Sequence, residues 1–298
     1  MMSKSKIFGY LMARNLVAAA NRGRGTSKRA ARANGSGTKD KVYSDVTRAN
    51  YIKACKTYAK WVQENHPEAY RDMAAAEGHV AEYLQGIGNS GSRMAAAAAL
   101  AKAYGRDGGA SWGVALGSRP LAQITRGRTP TARATAWAAN HAEVAEACRC
   151  LGARAGKEAT AIRGADVHVH ADGSVTVHIT GKGGLVREAP VWSAPGNTAG
   201  RDWLVSKAQE VGPGGHIFGG VPGMSHANLH SMRADYAARM YAQYAASDKA
   251  TGQMYRPQDG SGSAWDKGAL DATSAALGHG DRRFATVYYN YLSYGKAD

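Results

Sequence analysis

The period of the hydrophobic positions changes twice along this chain, and those changes divide it. From Ser44 to about Gly109 the period is helical. Tyr51, Cys55, Tyr58 and Val62 recur on one helix face, Ile52 and Ala59 widen the stripe, and Pro67 lies just past its end. Tyr70, Met73, Val80, Tyr83 and Leu84 predict a second helix that Gly86 and Gly88 stop, and the Ala-rich run 94–104 predicts a third. Residues 44–112 therefore read as a helical bundle. The stretch 113–133 breaks the pattern with Gly, Pro120 and Pro130 and carries Arg119, Arg126, Arg128 and Arg133, a basic linker suited to a phosphate backbone. From Ala134 a helix runs through Trp137, Val144, Ala147 and Cys148 to Leu151-Gly152.

The period then becomes alternating. Val167, Val169, Val175, Val177 and Ile179 flank Asp172-Gly173, which predicts a hairpin with a two-residue turn. A second Gly-rich turn surrounds Lys182, and 185–191 predicts a third strand. Helical spacing returns over 228–244, Gly252–Asp266 reads as a Gly/Ser-rich surface excursion, and a last helix over 267–277 leads into Leu277-Gly278-His279. The predicted class is α+β, mainly α with a small antiparallel β-sheet, the second domain spanning 134–298. Ahead of the bundle, residues 1–43 read as a basic N-terminal arm: a short helix over 7–20, then a flexible segment containing Arg22, Arg24, Lys28, Arg29 and Arg32, with no acid before Asp40. That arm lacks the continuous apolar stretch of a secretory signal.

Charge adds a partner to this picture. Lys and Arg number 38 against 23 Asp and Glu, a formal net charge of +15. Such an excess favours a polyanion, whose condensed counterions are released as phosphates are neutralised. No apolar run reaches the roughly 18 residues of a membrane span. Three cysteines, Cys55, Cys148 and Cys150, are too few for a disulfide framework and fit a reducing cytoplasm. His168, His170 and His178 invite a metal reading. With the turn at Asp172-Gly173, His168 faces Val177 and His178 falls on the opposite face from His168 and His170, so no site closes and no metal is expected.

The candidate chemistry lies toward the C-terminus. His230-Ser231-Met232-Arg233 sits on a helical pattern, Leu277-Gly278-His279 follows, and Tyr288, Tyr289 and Tyr291 crowd one turn near the end. Upstream stand Leu151-Gly152-Ala153-Arg154 with Glu158, and Lys182 in the turn between two predicted strands. Attack by a hydroxyl on a phosphodiester needs an in-line nucleophile, a clamp on the non-bridging oxygens, and groups that remove and deliver protons. Arginine suits the clamp because its planar fork stays charged and matches phosphate.

In order and residue type these motifs resemble the tyrosine recombinases, the family of phage integrases. The resemblance covers most of the chain. It implies an N-terminal helical core-binding bundle, a catalytic domain, and strand cleavage through a 3′-phosphotyrosyl intermediate. By that resemblance Arg154 and Arg233 form the clamp, Lys182 protonates the leaving 5′ oxygen, and His230 assists removal of the tyrosine proton. His279 bonds the phosphate and Tyr288 attacks, with Tyr289 the alternate. Glu158 falls four residues after Arg154 where the family has three, and the Arg233-to-His279 interval is long, which the Gly/Ser-rich insertion around Asp259–Ser263 explains. The implied partners are double-stranded DNA sites, three further copies of the chain in a homotetramer, and an accessory DNA-bending protein. No cofactor is implied, because the cut bond's energy is kept in the phosphotyrosyl link. Two competing readings remain open at this point: an idle DNA-binding protein of the same fold, and a type IB topoisomerase or resolvase using the same intermediate.

Overall fold

The computed structural model describes residues 7–117, 130–154, 157–181, 184–279 and 283–293. The chain forms two compact units, Met1–Ile124 and Thr125–Asp298. Among the described residues it is mostly helical with a small antiparallel sheet. No helix there is long and apolar enough to cross a membrane.

The first unit contains α1 (Ile7–Gly23), α2 (Lys28–Ala33), α3 (Asp45–Asn65), α4 (Met73–Glu77), α5 (Val80–Gly86) and α6 (Ser90–Tyr104). Helix α3 starts where the Ser44 side chain accepts the Thr47 N–H. It stops at His66, ahead of Pro67, and buries the expected face of Cys55, Tyr58, Ala59 and Val62. Helix α6 contributes Ala97, Leu100 and Ala101 to the same core.

Four expectations change in this unit. The N-terminal segment is not a separate arm: Phe8, Met12 and Leu16 of α1 are buried in the core shared with α3 and α6. At about 1.5–3 kcal/mol for each large apolar side chain fully buried, α1 is part of the fold. The stretch between Asn21 and Lys39, expected to be flexible, holds α2, and Arg22 pairs with Asp40 at 3.1 Å. The second predicted helix is two short ones, because the chain turns at Gly78 and His79 between α4 and α5. The expected linker also begins later than its composition suggests. A 3-10 turn, Gly109–Trp112, buries Trp112, whose Nε1 donates to Ala97 O at 3.0 Å, and Val114 and Leu116 pack on the core. Arg119, Arg126 and Arg128 lie outside the described residues, and Arg133 falls within the next helix.

The second unit opens with α7 (Ala132–Asn140) and α8 (Ala142–Leu151), one helix in the sequence pattern but divided at His141. The short α9 (Lys157–Ala161) leads to a three-stranded sheet, β1 (Val167–Val169), β2 (Val175–Thr180) and β3 (Val186–Pro190), in the order β1-β2-β3. Val175, Val177 and Ile179 face the core. Helices α10 (Ala199–Val211) and α11 (Leu229–Ala245) pack on α8. The Gly/Ser-rich excursion is a small hairpin of β4 (Met254–Tyr255) and β5 (Trp265–Asp266), before α12 (Lys267–Ala276), α13 (Phe284–Val287) and a π-helical turn, Tyr288–Leu292.

The β1–β2 register differs by one residue from the one expected. His168 pairs with Thr176, not Val177, because His170 N donates to Ser174 O and the loop is wider than a two-residue turn. This correction puts His168 and His178 on one face, since His178 lies two residues beyond Thr176. The imidazoles nevertheless take separate partners: His170 Nε2 meets Thr176 Oγ1 at 3.0 Å and His178 Nδ1 meets Glu188 Oε1 at 2.6 Å. Cys148 and Cys150 are buried, and burial pushes both thiols up to about 12, so they pack rather than react.

Candidate active site

Leu277-Gly278-His279 is a helix-terminating device. Gly278 adopts φ +66°, its N–H bonds to Ala275 O at 2.8 Å, and the His279 N–H reaches back to Ser274 O at 2.9 Å. That pair of bonds is a Schellman cap. Leu277 is buried beneath it. A side chain at Gly278 is barred by space as well as by conformation, since a Cβ would stand 2.7 Å from Arg187 Cδ. The backbone at the end of α12 therefore fixes where His279 goes.

A second glycine terminus faces it. Gly152, at φ +63°, ends α8, and a Cβ there would lie 2.2 Å from the Tyr236 ring. Its carbonyl accepts from Arg233 Nη1 and, at 3.4 Å, from Arg187 Nη2. Two residues on, the Arg154 N–H donates to Glu158 Oε2 at 3.0 Å, while Arg154 Nη1 stands 3.6 Å from Glu158 Oε1. The same carboxylate takes Arg187 Nη1 at 3.2 Å. Glu158 and Arg187 are both buried, so Glu158 positions Arg154 and compensates Arg187. Burial, followed by the nearby charge of Arg233, pulls the Arg187 pKa down, and Glu158 opposes that. Breaking a buried pair by removing one charge typically costs about 3–5 kcal/mol. Glu158→Gln, which keeps the shape, is expected to lower unfolding free energy by roughly 3 kcal/mol in urea titration; a loss under about 1 kcal/mol, the scale of an exposed pair, would show that the carboxylate does not carry this charge.

Helix α11 supplies His230 and Arg233, three residues apart and hence on one face. Arg233 is buried at 1% exposure. Its Nη1 and Nη2 donate to Gly152 O and Leu277 O, binding both glycine-terminated helix ends, and its Nε donates to Tyr291 Oη at 3.1 Å. Tyr291 Oη is also 3.3 Å from His279 Nε2, and the His230 ring lies edge-on to the Tyr291 ring, centroids 6.1 Å apart. The phenol among these groups is thus Tyr291. Tyr288 is buried elsewhere: its hydroxyl donates to Asp259 Oδ2 at 2.6 Å, and its ring packs on Trp265 and Tyr289. Tyr289 Oη accepts the Gln258 N–H at 3.0 Å. Lys182 lies outside the described residues; a Cβ on Gly181 would stand 3.0 Å from Glu158 Oε1.

No family model, curated protein or solved structure matches this chain.

The cluster is strongly cationic. His279 is held down at about 4, against 6.5 ordinarily, first by burial and then by the charges of Arg233, Arg154, Arg283 and Arg187. It is therefore a neutral imidazole at pH 7, with a lone pair available on one nitrogen. Between pH 6.5 and 4 the unfolded chain binds a proton that the folded one refuses, so stability falls as pH drops through that window. His279→Asn is expected to flatten this part of the stability–pH profile; an unchanged slope would mean that His279 is not the group responsible.

Arg187 and Tyr291 are the site residues that the motifs do not single out. Arg187 had a signal: it stands at an inward-facing position of β3, between neighbours that face out. A charge placed inward on an alternating strand requires a buried partner. Tyr291 had only its membership of the tyrosine-rich turn.

Proposed function

We propose that this chain breaks and rejoins DNA strands by transesterification, as a site-specific recombinase of the tyrosine type, with Tyr291 as the nucleophile. One observation carries the reading: a phenol within hydrogen-bond reach of a buried guanidinium and of a neutral imidazole, in a cluster where Arg154, Arg187, Arg233 and Arg283 act together and Glu158 is the carboxylate that pairs with two of them. Uncompensated cations gathered in a partly buried place favour an anionic ligand, and a phosphodiester fits the planar fork of arginine.

In the proposed step Tyr291 Oη attacks phosphorus. The new O–P bond forms as the bond to the 5′ oxygen breaks, leaving a 3′-phosphotyrosyl link and a 5′ hydroxyl. His279 Nε2 accepts the phenolic proton, Lys182 delivers one to the departing oxygen, Arg154 holds a non-bridging oxygen, and the buried Arg233, bonded to the phenol oxygen, steadies the charge that develops there. His230, exposed and edge-on to the Tyr291 ring, contacts the DNA strand. The reverse reaction, with a 5′ hydroxyl from another strand, completes the exchange. Double-stranded recombination sites, a homotetramer assembled on them, a DNA-bending accessory protein and a cytoplasmic setting complete the proposal, which the net charge of +15 and three buried free cysteines support.

The test is incubation with nicked duplexes bearing candidate sites, in which release of a short fragment traps the intermediate. A DNA adduct that survives denaturation, its peptide mapped by mass spectrometry, is the expected result. Tight duplex binding with no adduct would reduce the chain to a binding protein. Site-independent relaxation of supercoils would make it a topoisomerase.

A further inference from the structure

In the first unit, well away in sequence from the residues discussed above, three potential metal ligands converge. One ligand atom each from His66, His79 and Glu82 lies within 4.8 Å of the other two. His66 Nε2 is 2.9 Å and His79 Nδ1 3.7 Å from the same oxygen, Glu82 Oε2. The two imidazoles stack, with centroids 3.7 Å apart and planes 19° from parallel.

Each donor is placed by the backbone. His66 is the C-cap of α3, its N–H bonded to Val62 O at 2.8 Å, with Pro67 next. His79 is the N-cap of α5, and its carbonyl accepts the Tyr83 N–H at 3.1 Å. Glu82 stands three residues later in the first turn, on the same face. The Trp61 ring packs against His66 at 5.2 Å, giving the site an apolar wall.

A hydrogen-bonded histidine–glutamate pair accounts for the 2.9 Å contact alone. It does not account for a second imidazole nitrogen 3.7 Å from the same oxygen, nor for what lies behind His66. The far nitrogen of that ring, Nδ1, is 3.7 Å from Glu68 Oε1. A carboxylate behind a ligating histidine is the usual outer partner of a metal site, where it fixes the tautomer and raises the basicity of the ligating nitrogen. Tetrahedral zinc with nitrogen and oxygen ligands at about 2.0–2.2 Å places its donors roughly 3.3 Å from one another. The two separations to Glu82 Oε2 bracket that value, and the stacked rings, with planes 19° from parallel, must turn apart by side-chain rotation for both lone pairs to meet at one ion.

We propose that His66, His79 and Glu82 bind one divalent transition-metal ion of the zinc class, with Glu68 orienting His66. Two imidazoles and one carboxylate suit zinc, nickel or copper and are a poor set for magnesium. Three protein ligands leave a position for water. The ion clips the end of α3 to the start of α5, and the site is independent of strand cleavage in the second unit.

The test uses the full chain, stripped with chelator and titrated calorimetrically with zinc chloride or magnesium chloride. The expected result is one equivalent of zinc at micromolar affinity or tighter, no response to magnesium, and a zinc-dependent rise in Tm of roughly 5 °C. Cobalt in place of zinc should give the intense visible absorption of a tetrahedral ion. Glu82→Gln, at an exposed position, should retain the circular dichroism of the parent and weaken zinc binding by at least about 100-fold, and His79→Gln should do the same. Glu68→Gln should weaken it by roughly 10-fold. Absence of one-equivalent zinc binding would overturn the proposal. So would affinity unchanged in both Glu82→Gln and His79→Gln, which would place the ion on other histidines.

Discussion

Replacing Tyr291 with Phe is expected to reduce formation of the DNA-linked adduct by on the order of 10⁴ or more, the scale seen when a nucleophile is removed from an otherwise intact site. The same change at Tyr288 is expected to leave cleavage within a few-fold. The contrast follows from where the two hydroxyls lie. Tyr291 Oη is within reach of Arg233 Nε and His279 Nε2, whereas Tyr288 Oη donates to Asp259, whose carboxyl it holds below its ordinary pKa. Loss of the Tyr288 hydroxyl costs a hydrogen bond to a charged group, about 1.5–3 kcal/mol of local stability, and no reacting atom. Gel analysis of the trapped intermediate with both variants reads the difference directly. If Tyr288→Phe abolished the adduct and Tyr291→Phe retained it, the terminal turn would have to rearrange before the reaction, and the assignment of the nucleophile would fail while the chemistry stood.

The second large effect is expected at Arg233. Arg233→Lys keeps the charge but loses the fork, and cleavage is expected to slow by about 10²–10³, as when one preorganised donor is removed from a transition state. Duplex affinity should change little by comparison, because other basic residues supply most of the attraction to DNA. The substitution also leaves the carbonyl of Gly152 or Leu277 without its donor, at about 1–3 kcal/mol for a buried group. Single-turnover cleavage at saturating enzyme separates the slow chemistry from that loss. A fall in affinity equal to the fall in rate would mean that Arg233 binds the ground state and the transition state alike.

The sequence made the helices and sheet legible wherever one face is apolar and the other is not. The stripe on α3 and the alternation in β2 follow from burial alone, and both lie where expected. It misled where local chemistry outweighed periodicity. Asp172-Gly173 is a hairpin signal, yet the Asp172 side chain accepts from both N and Oγ of Ser174, and the loop closes one residue wider. The basic residues after α1 suggested a free arm, but Phe8, Met12 and Leu16 share a face that only the rest of the bundle could reveal as core. For the candidate site, the motifs pointed to Arg154, His230, Arg233 and His279; Arg233 and His279 reach the Tyr291 hydroxyl, His230 packs on its ring, and Arg154 pairs with Glu158. Spacing from His279 pointed to Tyr288, with Tyr289 the alternate, whereas the hydroxyl beside Arg233 and His279 is that of Tyr291. The motifs could not find Arg187, whose place depends on the carbonyl of Gly152 and the carboxylate of Glu158, far from it in the chain. The zinc-type cluster was equally hidden, since its ligands are joined across a helix end and a turn.

The π-helical turn over Tyr288–Leu292 has a consequence for how such chains are compared. On an ordinary α-helix, side chains three positions apart point the same way; here the wider coil sends two buried tyrosines in different directions, Tyr288 as a peg in the β-hairpin loop and Tyr291 toward Arg233. Counting positions forward from a landmark presumes constant pitch, so a count made on an even helix stops on the peg. A single residue inserted into a coil is thus enough to change which ring of a tyrosine-rich turn meets a given neighbour.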